Sequence, residues 1–361
     1  MEGDTEMSGE VVTRLMKGNE ALALAAIAYG VDSYFGYPIT PQSEILETLS
    51  AKHPETMTVL QAESEVGAIH MVYGAAACGK VAFTSSSGPG FSLMQGGISY
   101  MCGAGLPAVI VNVMRGGPGL GTIQPSQADY YQVVKGGGHG DYHLFVVAPS
   151  SPQEMADFLP LAFDWAFRYR NPAVILADGT IGQMMERVSL NILRHGTFDT
   201  TWAADGTLHK RSTYNRISSL RLDPADMEQV TVERFEKYAL AEKNDARSEV
   251  FAVEDADTLL VAFGSVSRVA RRACEIAAEE GLRVGLFRPI TLWPFPAEAL
   301  RKAATSARHV VCVELNMGQM IDDVRLSLSS TPLSESVLHY GHTGGITLSP
   351  SEIVTFVKTI S

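Results

Sequence analysis

Residues 80–114, KVAFTSSSGPGFSLMQGGISYMCGAGLPAVIVNVM, contain the unit that decides the fold. KVAFTSS is a short apolar run that ends in small hydroxyl residues, and PAVIVNVM is a second apolar run. The glycine-punctuated stretch between them, from about Gly88, predicts a helix. A strand, a helix and a second strand in this order predict two parallel strands joined by a crossover helix.

The same alternation extends in both directions from this unit and covers residues 1–180. Asn19 is expected to cap the first helix, Gly30 to end it, and Pro41 to lie in the first turn of the second. Six strands alternating with helices predict an α/β domain with a parallel sheet covered on both faces. The predicted strands are YFGYPI, TVLQA, KVAFTSS, PAVIVNVM, HLFVVAP and PAVILAD.

Two further regions follow this domain. Residues 181–256 are polar and charged, and they predict an ordered connecting segment with one helix, DMEQVTVERFEKYALAEKN. Residues 257–361 contain four more strand–helix units, which predict a second, smaller parallel-sheet domain. The two series share an architecture, but no sequence repeat of fixed period relates them.

Composition excludes several classes of function. The 361 residues are 46% apolar and 19% charged, which is typical of well-packed domains rather than a disordered chain. With 40 acidic and 28 basic residues and no Lys/Arg run, binding to nucleic acid or to an anionic membrane is not expected. The acidic N-terminus does not resemble a signal peptide, and Leu106–Met114 is too short to span a bilayer. The sparse cysteines fit a reducing cytoplasm, so a cytoplasmic location is expected.

The cysteines argue against a redox centre in this chain. Cys78, Cys102, Cys274 and Cys312 are far apart, and no CxxC pair occurs. A cysteine-ligated iron–sulfur cluster or zinc site needs closely spaced pairs. The histidines show no metal-ligand spacing either, so no metal site is predicted in this chain.

Four junctions where strands turn into helices contain the candidate site residues, because ligands of parallel sheets bind beyond the carboxyl ends of strands. The first is YPITP, residues 37–41, in which Thr40 has a free oxygen; the alternative is an ordinary proline-bracketed turn. The second is QAESEVGA, residues 61–68. Glu65 begins a helix there, either as a carboxylate that exchanges protons with a ligand or as an acid favoured by the helix dipole.

The other two junctions are rich in glycine. Thr84–Gly90, TSSSGPG, lets a ligand approach the backbone, although a tight turn would need the same residues. MRGGPGLG, residues 114–121, lacks the GxGxxG spacing of a dinucleotide site. Its Arg115 is suited to holding a carboxylate with two hydrogen bonds, with a surface ion pair as the alternative.

Together these motifs resemble the alpha-type subunit of 2-oxoacid:ferredoxin oxidoreductases. The similarity covers residues 18–45, residues 61–94 and Arg115, and it continues through FRPITLWPFP and ELNMGQM in the second domain. These thiamine diphosphate enzymes convert a 2-oxoacid and CoA to acyl-CoA and CO₂. The similarity is greatest to members that use branched-chain 2-oxoacids, and similar chains use 2-oxoglutarate.

The resemblance implies a role for each junction. Residues 1–180 would form the pyrimidine-binding domain, and residues 257–361 the transketolase C-terminal-like domain. Glu65 matches the glutamate that hydrogen-bonds N1′ of the aminopyrimidine, which favours the imino form that removes the thiazolium C2 proton. Glu63 is the second candidate for this role.

The remaining site residues also follow from the resemblance. Thr40, with its neighbour Ile39, and Arg115 match positions that hold the carboxylate and keto oxygens of the substrate. The residues expected to border the cofactor are Pro38, Ser87, Gly88, Pro89 and Gly90.

Missing motifs imply partner subunits. Thiamine enzymes bind the diphosphate through Mg²⁺ with a GDG followed by an Asn pair, and neither occurs in this sequence. In the family a beta-type subunit holds the diphosphate, Mg²⁺ and at least one [4Fe-4S] cluster. A gamma-type subunit and often a small ferredoxin-like subunit complete the complex, and ferredoxin accepts the electrons.

Two other hypotheses remain open. The chain would share its two-domain plan with the beta subunit of an NAD-linked 2-oxoacid dehydrogenase complex, although the YPITP turn argues against this. It would also suit a non-catalytic scaffold subunit, although the presence of Thr40, Glu65 and Arg115 argues against that.

Overall fold

The computed structural model describes residues 12–206 and 211–360. Residues 1–11, which include most of the acidic N-terminus, lie outside this description. The described strands are β1 (Val12–Lys17), β2 (Ser33–Gly36), β3 (Thr58–Gln61), β4 (Ala82–Ser86), β5 (Val109–Met114), β6 (Phe145–Val147), β7 (Ala173–Asp178), β8 (Met185–Leu190), β9 (Ser248–Phe251), β10 (Thr258–Val261), β11 (Val284–Pro289), β12 (Thr291–Trp293), β13 (His309–Glu314) and β14 (Val337–Gly341).

The helices alternate with these strands over most of the chain, and a short 3₁₀ helix covers Pro332–Ser336. The α-helices are α1 (Gly18–Tyr29), α2 (Ser43–Lys52), α3 (Glu65–Ala77), α4 (Gly88–Ala104), α5 (Tyr130–Val134), α6 (Pro152–Tyr169), α7 (Gly179–Gln183), α8 (Pro224–Asn244), α9 (Gly264–Glu279), α10 (Ala297–Ala303), α11 (Ile321–Leu328) and α12 (Pro350–Ile360).

The first sheet has seven strands in the order β12-β6-β7-β5-β4-β2-β3. Strands β2 to β7 are parallel and correspond to the six predicted strands. The central strands β5 and β7 are buried along their whole length. Helices α1 and α6 pack as one pair and α3 and α4 as another, so the predicted α/β architecture is confirmed.

The second sheet has five strands in the order β14-β13-β10-β11-β9. Four of them are parallel, as predicted, and β9 joins one edge antiparallel to β11. Strand β12 leaves this series and pairs antiparallel with β6 of the first sheet. The two sheets are therefore joined through the backbone as well as through side chains.

The connecting segment contains more than the single helix that the sequence predicts. Helix α8 lies where expected, but β8 pairs antiparallel with β1 and β9 extends the second sheet. The prediction missed these strands because β8 is only partly buried and β9 has exposed residues, so neither shows an apolar run.

Two expected helix starts are also corrected. Helix α1 begins at Gly18 with Lys17 at the N-cap, so Asn19 lies inside the helix and does not cap it. Helix α2 begins at Ser43, which leaves Pro41 in the turn before it. Gly30 ends α1 in the left-handed conformation, at φ +84°, as predicted. In the described ranges, no helix combines the length and apolar character needed to cross a bilayer.

Candidate active site

Glu65 is a buried carboxylate at the carboxyl end of β3. The chain turns there into α3, and Ser64 caps the helix by accepting a 3.1 Å hydrogen bond from the Gly67 backbone N–H. Glu65 is 5% exposed, and its carboxylate has no hydrogen bond or ion pair within the described ranges. Glu63, the second candidate, is exposed. Burial thus distinguishes two acids that are only two positions apart.

The turn between β4 and α4 closes against Glu65. A Cβ atom at Gly90 would lie 2.3 Å from Glu65 Oε1 and 2.3 Å from Ser86 Oγ. No side chain fits in this space, so glycine lets the helix start approach the carboxylate. Gly88, in the same turn, has φ +41°, a conformation that favours glycine.

Strand β4 ends in a row of buried hydroxyl groups. Ser85 Oγ is satisfied, because it lies 2.7 Å from the Tyr34 hydroxyl and donates to Gln42 Oε1 at 2.6 Å. The side-chain oxygens of Thr84, Ser86 and Ser87 are buried without a partner in the described structure. Unpaired buried hydroxyls are unfavourable, and a bound polar ligand would satisfy them.

Arg115 connects the remaining junctions. Its Nη1 donates to the Thr40 carbonyl at 2.9 Å, and its Nη2 donates to the Leu120 carbonyl at 3.1 Å. Its Nε is buried without a described partner. Arg115 Cγ lies 3.5 Å from where a Gly88 Cβ would be. The guanidinium therefore lies between the Thr40 turn and the start of α4.

A hydrogen bond from Gln42 stabilises the Thr40 turn. Gln42 is fully buried, and its Nε2 donates to the Tyr37 carbonyl at 3.0 Å. Thr40 and Pro38 are exposed and Ile39 is half-buried. Among the predicted residues, Thr40 contacts Arg115 directly, and the Ser87–Gly90 turn lies against both Arg115 and Glu65.

Sequence reasoning missed a pair of polar residues behind this turn. Asn112 Nδ2 donates to Asp129 Oδ2 at 3.0 Å. Burial raises the pKa of Asp129, and hydrogen bonds from Asn112 and the Gly88 backbone together with the charge of Arg115 oppose this rise. The available signal was Asn112 itself, a polar residue inside the otherwise apolar strand β5.

The family models decide the identity of this arrangement. Residues 24–249 match the model "Pyruvate flavodoxin/ferredoxin oxidoreductase, thiamine diP-bdg", and residues 256–353 match core domain II of pyruvate:ferredoxin oxidoreductase. The chain belongs to the 2-oxoacid:ferredoxin oxidoreductase family. The family resemblance and fold class predicted from the sequence are therefore confirmed.

Curated relatives within the oxidoreductase family are similar over most of their length. The ketoisovalerate oxidoreductase subunit VorB of Methanothermobacter thermautotrophicus is 49% identical over 320 residues, which cover 88% of this chain and 90% of the relative. The 2-oxoglutarate synthase subunit KorA of Archaeoglobus fulgidus is 37% identical, over 86% of this chain and 90% of the relative.

Solved structures show the same fold. The 2-oxoglutarate:ferredoxin oxidoreductase of Magnetococcus marinus, solved with 2-oxoglutarate, coenzyme A and succinyl-CoA bound, superposes with a TM-score of 0.86 at 27% identity. The match covers 96% of this chain but only 65% of that one. A split-gene transketolase has a TM-score of 0.62 at 16% identity over 95% of this chain and 97% of its own, which shows the shared fold alone.

Proposed function

We propose that this chain is the alpha-type catalytic subunit of a cytoplasmic 2-oxoacid:ferredoxin oxidoreductase. The reaction cleaves the bond between the carboxylate and the oxo carbon, releases CO₂, forms the thioester of CoA and passes an electron pair to ferredoxin. The observation that carries the proposal is Glu65, a buried carboxylate with no partner among the described residues, facing a glycine turn beside Arg115.

The residues at this site fit the pyrimidine end of thiamine diphosphate. When bound, the cofactor supplies a carbon nucleophile for the oxo group and accepts the electrons left by CO₂. Glu65 would share a proton with N1′, since its carboxylate is shielded from water and has no competing partner in the part of the chain that the structure describes. Pro38, Ser87, Gly88, Pro89 and Gly90 would border the ring, and the glycine at position 90 lets the start of α4 lie against Glu65.

Arg115 and the Thr40 turn would hold the substrate. Two N–H groups of the guanidinium already donate to backbone carbonyls, and its buried Nε has no partner among residues 12–206 and 211–360. A fixed guanidinium binds a carboxylate at little entropic cost. Thr40, with Ile39 beside it, would contact the keto oxygen.

The substrate would be a branched-chain 2-oxoacid rather than 2-oxoglutarate. The relative named for ketoisovalerate is 49% identical, against 37% for the 2-oxoglutarate synthase subunit. The loop that Arg115 holds also carries two exposed apolar side chains, Leu120 and Ile123. These side chains suit an aliphatic tail better than a second carboxylate.

Partner subunits would supply what the chain lacks. A beta-type subunit would bind the diphosphate with Mg²⁺ and carry a [4Fe-4S] cluster, and a gamma-type subunit and a small ferredoxin-like subunit would complete the complex. The exposed side chains of Val66 on α3 and Leu93 on α4, on the helices that begin at Glu65 and Gly88, suit such a contact. Residues 1–180 would be the pyrimidine-binding domain, 181–256 the connecting segment and 257–361 the transketolase C-terminal-like domain.

Replacing Glu65 tests the proposal. In the assembled complex, Glu65→Gln should lower 2-oxoacid-dependent ferredoxin reduction by about 100-fold or more, because the amide cannot share a proton with the cofactor. Subunit assembly, followed by size-exclusion chromatography, should be unchanged.

Glu63→Gln is the matched control, since it removes an exposed carboxylate two positions away. It should retain nearly full activity. Normal activity in the Glu65 variant would contradict the catalytic assignment and favour a scaffold role.

A further inference from the structure

The Pro41 carbonyl, next to Thr40, is held by two amide side chains from distant parts of the chain. Asn19 Nδ2, from α1, donates to it at 2.7 Å. Gln183 Nε2, from the end of α7, donates to it at 2.8 Å. Two donors converging on one carbonyl restrict both the position and the orientation of this peptide group.

Glu44 orients both amides. Its Oε2 accepts from Asn19 Nδ2 at 2.9 Å and from Gln183 Nε2 at 2.8 Å. Each amide nitrogen therefore has one partner in Glu44 and one in Pro41. Because an amide group is planar, fixing one N–H on Glu44 directs the other toward the Pro41 carbonyl.

Lys17 completes a hydrogen-bond network with Asn19, Glu44 and Gln183. Its Nζ donates to Glu44 Oε1 at 2.8 Å and to Gln183 Oε1 at 3.0 Å. The bond to Glu44 raises the pKa of Lys17, as do the nearby carboxylates of Glu20 and Glu47. Burial acts to raise the pKa of Glu44, but its hydrogen bonds to Lys17, Asn19 and Gln183 outweigh burial and lower it. Both groups are therefore charged at neutral pH, and the network is intact there.

The Thr40–Pro41 segment is thus fixed from two sides. Arg115 holds the Thr40 carbonyl, and Asn19 and Gln183 hold the next carbonyl along the chain. The network ties α1, α2 and α7 to the segment that carries Thr40. None of its members has been assigned a contact with substrate or cofactor.

We propose that Gln183 and Asn19, oriented by Glu44 and Lys17, are positioning residues that set Thr40 against Arg115 for binding of the 2-oxoacid. The proposal rests on the proposed function of the Thr40 and Arg115 site. Positioning matters because a displacement of about 1 Å can cost about 100-fold in rate.

The test compares two glutamines in the assembled complex. Gln183→Ala removes the two hydrogen bonds that Gln183 Nε2 donates, to the Pro41 carbonyl and to Glu44. Gln183→Glu keeps the size of the side chain but places a carboxylate against the same two acceptors. Gln153→Ala is the control, because Gln153 is also half-buried and its amide likewise bonds a backbone carbonyl and a carboxylate, Ser189 and Asp157, away from the turn.

We expect a change in the kinetic constants for the 2-oxoacid and not in those for CoA. Both Gln183 variants should lower kcat/KM for the 2-oxoacid by about 10- to 100-fold, mainly through KM, while KM for CoA changes less than about twofold. The isosteric Gln183→Glu should be at least as impaired as Gln183→Ala. If Gln183→Glu or Gln183→Ala matches Gln153→Ala, the proposal is overturned.

Backbone amide exchange gives a readout that does not depend on catalysis. In both Gln183 variants, hydrogen–deuterium exchange should accelerate in residues 39–42, including the Gln42 amide that bonds the Ile39 carbonyl at 3.0 Å. Unchanged exchange there overturns the proposal whatever the activity. If the wild-type complex does not use 2-oxoacids but the turn still loosens, the proposed function fails while the positioning of the turn stands.

Discussion

At the scale of single residues, burial distinguishes the two acids that are candidates for the proposed catalytic role. Glu63 and Glu65 both follow β3, and the sequence motif alone makes either a candidate. The cap at Ser64 starts α3 so that Glu65 points into the fold and Glu63 remains exposed. Only a carboxylate withdrawn from water can share a proton with a ligand without competition from solvent.

Substrate preference also belongs to this scale. The complex should turn over 2-oxoisovalerate with kcat/KM about tenfold or more above that for 2-oxoglutarate, because a second carboxylate would lie against the apolar Leu120 and Ile123. The measurement is ferredoxin reduction with each 2-oxoacid in turn.

A lysine substitution tests which side chain sets this preference. Leu120→Lys should raise kcat/KM for 2-oxoglutarate and so reduce the difference between the two 2-oxoacids. Leu193→Lys is the control, since Leu193 has the same exposure of 82% but lies outside the Arg115 loop. Equal effects of the two substitutions, or a wild-type preference for 2-oxoglutarate, would refute the assignment.

At the scale of secondary-structure elements, Asp178 links β7 and α7 to the start of α9. It ends β7, caps α7 by accepting from the Ile181 N–H at 3.1 Å, and accepts from the Ser265 N–H in α9 at 2.9 Å. Asp178→Ala would leave two buried donors unpaired, so it should lower the free energy of unfolding by about 2–4 kcal/mol.

Thermal unfolding of the assembled protein measures this effect. The exposed Asp226, which pairs with Arg221 on the surface, is the control, and its loss should cost about 0–1 kcal/mol. A melting temperature for Asp178→Ala equal to that of Asp226→Ala would show that the junction is not stabilised in this way.

The effect of Asp178 should depend on pH. Burial raises the pKa of this carboxyl, so the folded protein keeps the proton to a higher pH than the unfolded chain, whose value is about 3.9. As pH rises from the unfolded pKa through the higher folded pKa, the free energy of unfolding of the wild type falls, because the folded state must then give up the proton on Asp178. The alanine variant has no such group and shows no such fall. The stability difference between them should therefore be largest in acid and narrow as pH rises.

The same scale shows which elements a sequence can predict. The buried parallel strands and the end of α1 were predictable, because apolar runs and a glycine such as Gly30 are local signals. Strands β8, β9 and β12 were not, because they are short or partly exposed and exist through pairing with distant strands.

At the scale of the whole molecule, the chain brings the four strand-end motifs together at one edge of the first sheet, where we propose one side of a site shared with a partner subunit. The four strand-end motifs were predictable because parallel strands present their carboxyl ends at one edge. The network of Lys17, Asn19, Glu44 and Gln183 could not be predicted, because Lys17 and Gln183 are 166 positions apart and no sequence pattern links them. Asp129 was not predicted for the same reason, since its partners, Asn112 and the Gly88 backbone, lie on other elements.

The measurement that tests this account most directly is hydrogen–deuterium exchange at the thiazolium C2 of thiamine diphosphate bound to the assembled complex, without 2-oxoacid. Glu65→Gln should slow the exchange by about 100-fold or more with the cofactor still bound, and Glu63→Gln should exchange like the wild type. Equal exchange in the wild type and the Glu65 variant would contradict the central claim that Glu65 is the proton-sharing group of this site.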